Sequence, residues 1–316
     1  CCAVSPSSVF LMLKVAVEPG CWRRQSLVTA VEAGGGVVAS LDEAQVLVWA
    51  EPARADLLPP MLDENPNIDW VQLPYAGIEP FLEMLRSRPH LSWTCGKGVY
   101  ASPVAEHVLA LALAGFRSIH TYARADRWSD PEGQNLIGAK VAILGGGGIT
   151  EELLPLLAPF RCEVTVVRNQ VVAMEGAAQV VGAGDLHDVL PTSDLLVLAL
   201  ALTPETTGII GKQELGLLPE HAWIVNVARG GHIVTADLVE ALRQETIGGA
   251  ALDVTDPEPL PEGHPLWALE NCIITPHIGN TPEMGIPLLA ERVTENVRRR
   301  IADLPLIGPV DVDRGY

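Results

Sequence analysis

Short apolar runs alternate with amphipathic stretches along most of the chain. LKVAVEP, AQVLVWAE, IDWVQLP and LSWTCG read as buried strands in the first hundred residues, and stretches such as IEPFLEML between them carry helical periodicity. This βα alternation predicts a parallel sheet. ASPVAEHVLALALAGFRSIHTYAR then reads as one long helix, with Ser102 as N-cap and Pro103 at its first position. Beyond it, KVAILG, EVTVVR, AAQVVG, LLVLALA, AWIVNVAR, GAALDV and CIITPH recur at crossover spacing, with helical segments such as TADLVEALRQ between them. That pattern predicts a second, doubly wound sheet. PEMGIPLLAERVTENVRRRIADLP is helical in period and is expected to return to the first domain.

The expected architecture is therefore α/β: two doubly wound parallel-sheet domains, with a Rossmann-type domain over residues 101–284 inserted into a domain of residues 12–100 and 285–316. A length of 316 residues also favours two cores. Residues 1–11 lack a Met and a basic leader, and read as a disordered tail ahead of Met12.

Charge narrows the partners. Against 39 acidic residues stand 21 Lys and Arg, a net charge of -18, which argues against sequence-independent binding to nucleic acid or an anionic membrane. VLALALAG at 108–115 is far shorter than the roughly 20 residues that span a bilayer. The six cysteines lack metal-ligand spacing and sit among apolar neighbours, so we read reduced thiols in a soluble cytoplasmic protein with no metal site.

Chemistry first surfaces at GGGGITEELL, residues 145–154, directly behind a strand. Gly145 and Gly147 supply a tight turn and a backbone approach to a pyrophosphate at a helix N-terminus. Thr150 stands where a third glycine would be expected, which predicts a helix pushed slightly outward and a looser cofactor site. Glu151 and Glu152 add acids to the first turn, where the helix dipole tolerates them. The next strand ends in Arg168 rather than a carboxylate, and this tilts the cofactor toward NADP, with NAD as the alternative.

Three later strands are each followed by a polar residue: Arg229, Glu258 and His277. Strand carboxyl ends are where parallel-sheet enzymes gather their sites. Arg229 offers a planar fork for a carboxylate, and His277 can exchange a proton with a substrate oxygen. An ionised Glu258 beside it would favour the imidazolium. Each residue type alone is more often a structural ion pair, a solvated loop charge or a turn residue; their succession behind a glycine turn distinguishes this trio. The remaining histidines, including His107, His221 and His264, read as structural.

NVARGG at 226–231, ALDVTDPEPLPEGHPLW at 251–267 and TPHIGNT at 275–281 resemble the D-isomer-specific 2-hydroxyacid dehydrogenase family. PVAEHVLALALAG at 103–115 and LALTPETTGIIG at 200–211 resemble that family's linking helix and cofactor loop. The resemblance runs from about residue 13 to near the end, and is closest to bacterial members without a regulatory domain. It implies catalytic roles for Arg229, Glu258 and His277. Cofactor contacts are implied at Gly145, Gly147, Gly148, Ile149, Arg168, Thr203, Ala228, Asp253 and Gly279, with Asp253 near the nicotinamide amide. Substrate contacts are implied at Gly77, in the YAGIE loop, and at Lys97.

The same resemblance implies hydride transfer between NAD(P) and a small 2-oxo or 2-hydroxy acid of the glyoxylate or hydroxypyruvate type. It also implies an interdomain cleft and a homodimer built on the linking helix. The alternative expectation, resting on the ITEELL departure, is a dinucleotide-binding scaffold of the same fold with faded catalysis.

Overall fold

The computed structural model describes residues 12–312; the tail read over residues 1–11 lies outside the described residues. The chain divides into two compact units, Cys1–Val99 with Pro282–Tyr316, and Tyr100–Thr281.

The first unit is built on five parallel strands: β1 (Lys14–Glu18), β2 (Val37–Val38), β3 (Val46–Trp49), β4 (Trp70–Gln72) and β5 (Ser92–Thr94). Their spatial order is β2-β1-β3-β4-β5, the flavodoxin-like arrangement. Adjacent residues of β3 divide between the two faces. Val46 and Val48 pack with the helices Arg24–Ala33 and Pro282–Ile301, whereas Leu47 and Trp49 pack with Leu58, Leu62, Met84 and Leu85. Both faces are covered, so these strands read as apolar runs. The returning helix is pinned by Thr294 Oγ1 donating to Ala30 O at 3.0 Å and by buried Asn296 donating to Gln72 Oε1 at 2.9 Å.

The second unit carries seven parallel strands: β6 (Lys140–Leu144), β7 (Glu163–Val167), β8 (Gln179–Val181), β9 (Leu195–Leu198), β10 (Trp223–Asn226), β11 (Gly249–Leu252) and β12 (Cys272–Ile274). They lie in the order β12-β11-β10-β9-β6-β7-β8, which reverses direction between β6 and β9, the switch point where dinucleotide folds bind their ligand. Val141 and Ile143 pack toward the helices Ala101–Phe116 and Gly148–Leu157; Ala142 and Leu144 pack toward Lys212–Leu217 and Thr235–Arg243. Asn226, Leu252 and Ile274 are in register across β10, β11 and β12, so the segments that follow them emerge side by side.

Two expectations change in detail, and one strand is added. The long helix is Ala101–Phe116 with Tyr100 at its N-cap, so Ser102 and Pro103 lie inside the first turn. Proline is tolerated there because the first-turn N–H groups have no intrahelical acceptor. The helix stops where Ser118 adopts a left-handed φ of 50°, and Ile119–Tyr122 forms a separate short helix. Strand β2, two residues in GGGVVAS, was not anticipated.

Among the described residues, no helix is long and apolar enough to cross a membrane.

Candidate active site

The turn behind β6 opens with Gly145 at φ 105°, where a Cβ would come within 2.3 Å of Ala199 O at the end of β9. Only glycine fits both that conformation and that approach. At Gly146, a Cβ would fall 2.6 Å from Arg168 Cδ; the arginine side chain lies across the turn. Gly147, the N-cap of the helix Gly148–Leu157, faces open space, with nothing within 4 Å of its added Cβ. No contact among the described residues calls for a glycine there.

Thr150 is held within the fold. It is fully buried, and its Oγ1 donates to Gly145 O at 2.7 Å, tying the first turn of the helix to the glycine turn. Glu151 and Glu152 are exposed. Gly148 and Ile149 fall in the first helical turn and are half-buried. Thr203 lies in the loop after β9, its N–H donating to Thr206 Oγ1 at 2.8 Å.

After β10, buried Asn226 shapes the turn from both ends of its amide, accepting from Ala228 N at 3.0 Å and donating to Arg229 O at 2.9 Å. Arg229 is half-buried, and its Nη1 donates to Ala228 O at 2.8 Å. Gly230 brings this segment against the one after β11; a Cβ there would come within 2.0 Å of Thr255. His232, fully buried, sets Nδ1 2.9 Å from Arg229 O and Nε2 3.3 Å from Ala201 O. Burial pushes its pKa down, with the hydrogen bonds to those carbonyls opposing. In the neutral imidazole, Nε2–H donates to Ala201 O while Nδ1 accepts from Arg229 N at 3.3 Å, which links the Arg229 turn to the loop that carries Thr203.

Glu258 and His277 meet directly: His277 Nδ1 lies 2.7 Å from Glu258 Oε1. A carboxylate only accepts, so Nδ1 carries the proton and Nε2 is the nitrogen left for another partner. His277 has a left-handed φ of 53°, a conformation L-residues with side chains rarely hold without support.

Asp253, 3% exposed, supplies part of that support. Its carboxylate accepts from Thr275 Oγ1 at 2.6 Å, Ile278 N at 2.8 Å and Gly279 N at 2.9 Å. Burial would raise its pKa, but bonds from His107, Thr275, Ile278 and Gly279 outweigh it and hold the group at about 2. Asp253 thus organises the loop that presents His277, and both of its oxygens are engaged within the protein.

In the other unit, Gly77 is half-buried in the loop after β4, and Lys97 is exposed in the loop after β5. The two loops are joined by Gly96 N donating to Tyr75 O at 2.9 Å, and Arg292 donates to Lys97 O at 3.0 Å. Sequence reasoning missed Asn226, His232, His107 and Thr275. Their roles depend on contacts across strands that no local pattern displays.

The family model "D-isomer specific 2-hydroxyacid dehydrogenase, NAD binding domain" matches residues 107–279. The chain belongs to the D-isomer specific 2-hydroxyacid dehydrogenase family. It is 37% identical over 311 residues to a Corynebacterium melassecola protein named only for its place in the proB 3′ region, covering 96% of this chain and 100% of that one. It is also 31% identical to the glyoxylate/hydroxypyruvate reductase A of Serratia proteamaculans, over 89% of this chain and 95% of that one. Among solved structures, a D-isomer specific 2-hydroxyacid dehydrogenase from Xanthobacter autotrophicus in complex with NADPH and MES matches with a TM-score of 0.83 and 28% identity, covering 96% of this chain and 100% of that chain.

The dehydrogenase is accordingly NAD(P)-dependent, moving hydride between the dinucleotide and a small 2-oxo or 2-hydroxy acid. Its own residues fit that cofactor, with an open glycine beside a helix N-terminus at the switch point and a buried Asn280 Oδ1 without a hydrogen-bond partner next to the Asp253-bound loop.

Proposed function

We propose that this dehydrogenase reduces a glyoxylate- or hydroxypyruvate-type 2-oxo acid with NADPH. The observation that carries the reading is the 2.7 Å His277–Glu258 pair, formed by the segments that follow two adjacent strands, with Arg229 on the segment after the next strand. When bound, the dinucleotide supplies the hydride. Arg229 holds the substrate carboxylate through its guanidinium fork and polarises the neighbouring carbonyl. His277, its Nδ1 proton committed to Glu258, delivers a proton from Nε2 to the carbonyl oxygen, and the Glu258 carboxylate stabilises the imidazolium that does so. In the reverse direction Nε2 takes the proton back.

The helix N-terminus at Gly147, Gly148 and Ile149 receives the pyrophosphate, and Arg168, lying across Gly146 and not a carboxylate, accepts a 2′-phosphate. Thr203, Ala228 and Gly279 complete the cofactor contacts in this reading. Gly77 and Lys97, in the other unit, stay in this reading as candidate substrate contacts on family likeness alone. The likeness to the Serratia reductase supports the substrate class, and the NADPH-bound relative supports the cofactor. On family likeness we also read the enzyme as a cytoplasmic homodimer.

Arg168→Ala tests the cofactor assignment: fluorescence titration should show NADPH binding weakened by about tenfold or more, as loss of a charged phosphate contact requires, and NADH binding changed by about twofold at most. Equal losses for both nucleotides would remove Arg168 from discrimination.

A further inference from the structure

The bonds around Asp253 fix one proton. Thr275 directs its hydroxyl hydrogen to Asp253 Oδ1 at 2.6 Å. His107, on the helix Ala101–Phe116, brings Nε2 to 3.1 Å from Thr275 Oγ1 and 3.3 Å from Asp253 Oδ1. Thr275's hydrogen is already committed and the carboxylate only accepts, so Nε2 of His107 must be the donor to this pair. The same loop brackets His277, whose N–H donates to Asp253 O at 2.9 Å and Thr275 O at 3.0 Å while its φ is 53°. The helix also seats on the loop: a Cβ on Gly279 would lie 3.0 Å from Asp253 Oδ2, 3.4 Å from Val104 Cγ2 and 3.7 Å from His107 Cδ2. A second imidazole is thus cross-linked to the segment that carries the first.

We propose that His107 is a positioning residue for the reaction, donating from Nε2 to the Thr275–Asp253 pair and so fixing the left-handed backbone from which His277 reaches the substrate oxygen. The inference rests on the reading of His277 as proton donor. Its effect passes through Thr275, Asp253 and the loop 275–279. Small misplacements of a reacting group cost rate more than they cost binding. The signature is therefore a fall in kcat with little change in KM or nucleotide affinity.

The test uses the full chain with NADPH and glyoxylate. His107→Phe removes the donor, His107→Gln keeps an N–H donor of similar reach, and Thr275→Val removes the hydroxyl link at near-equal volume. The expected result is a kcat lowered on the order of 10- to 100-fold in His107→Phe and in Thr275→Val, with KM for glyoxylate and Kd for NADPH within about threefold. His107→Gln should recover most of kcat.

A kcat within about twofold of the parent in either folded donor-removing variant overturns the proposal, as does a Gln variant no better than the Phe variant. If His107→Phe fails to fold, Thr275→Val decides alone. His277→Ala separates the two readings. If it loses turnover while His107→Phe does not, the positioning role alone falls; if it keeps the parent's kcat, the assignment of His277 as proton donor falls and the inference with it.

Discussion

His277 holds a backbone conformation that costs a non-glycine residue roughly 1–2 kcal/mol, and the loop around it repays that cost through the bonds collected by Asp253. The carboxylate that collects them has a pKa lowered from 3.8 to about 2. A depressed carboxylate contributes stability that is present above its unfolded value and is lost as pH falls through its folded value. Here the contribution is roughly 2 kcal/mol, and it disappears between about pH 4 and pH 2. Asp253→Asn, measured by urea unfolding, should therefore be less stable than the parent at pH 7, and the gap should close as pH approaches 2. A gap that stays constant down to that pH would mean that the ionised form is not what the loop requires.

At the scale of elements, the glycine turn and its helix act as one piece. Thr150 Oγ1 caps Gly145 O at 2.7 Å, so Thr150→Val should cost about 1 kcal/mol in thermal or denaturant unfolding, the usual worth of one such bond, and leave NADPH affinity close to the parent's. Gly145→Ala meets both a φ of 105° and the carbonyl of Ala199, and should abolish NADPH binding in a fluorescence titration. Binding lost in Thr150→Val instead would restore the view that position 150 governs the cofactor site.

Most of this level was legible in the chain. Strands buried on both faces, such as VAIL and LLVL, advertise themselves as apolar runs, and the trio Arg229, Glu258 and His277 stands at neighbouring strand ends. What escaped depends on contacts far apart in sequence. Thr150 reads as a flaw in a glycine pattern until its hydroxyl is seen to reach Gly145. His107 reads as one polar residue on an apolar helix until Thr275, 168 positions away, is placed against it. β2 is too short, at two residues, to carry any period.

At the scale of the whole molecule, a net charge of -18 means that an anionic cofactor and an anionic substrate receive no help from the overall field. In the proposed reading their binding comes from local groups: the helix N-terminus behind Gly147, the guanidinium of Arg168, and the fork of Arg229. The cofactor residues of this reading all fall in the unit Tyr100–Thr281, whereas Gly77 and Lys97 belong to the other. Nucleotide binding and turnover can therefore be read separately in one experiment. The most direct test is to saturate the protein with NADPH, add glyoxylate or hydroxypyruvate, and follow the loss of nicotinamide absorbance in the parent and in His277→Ala. The account predicts nucleotide binding in both proteins, rapid NADPH oxidation in the parent, and a rate lower by on the order of 10²- to 10⁴-fold in the variant. NADPH bound by the parent but left unoxidised by either acid, or oxidised equally fast without His277, would contradict it.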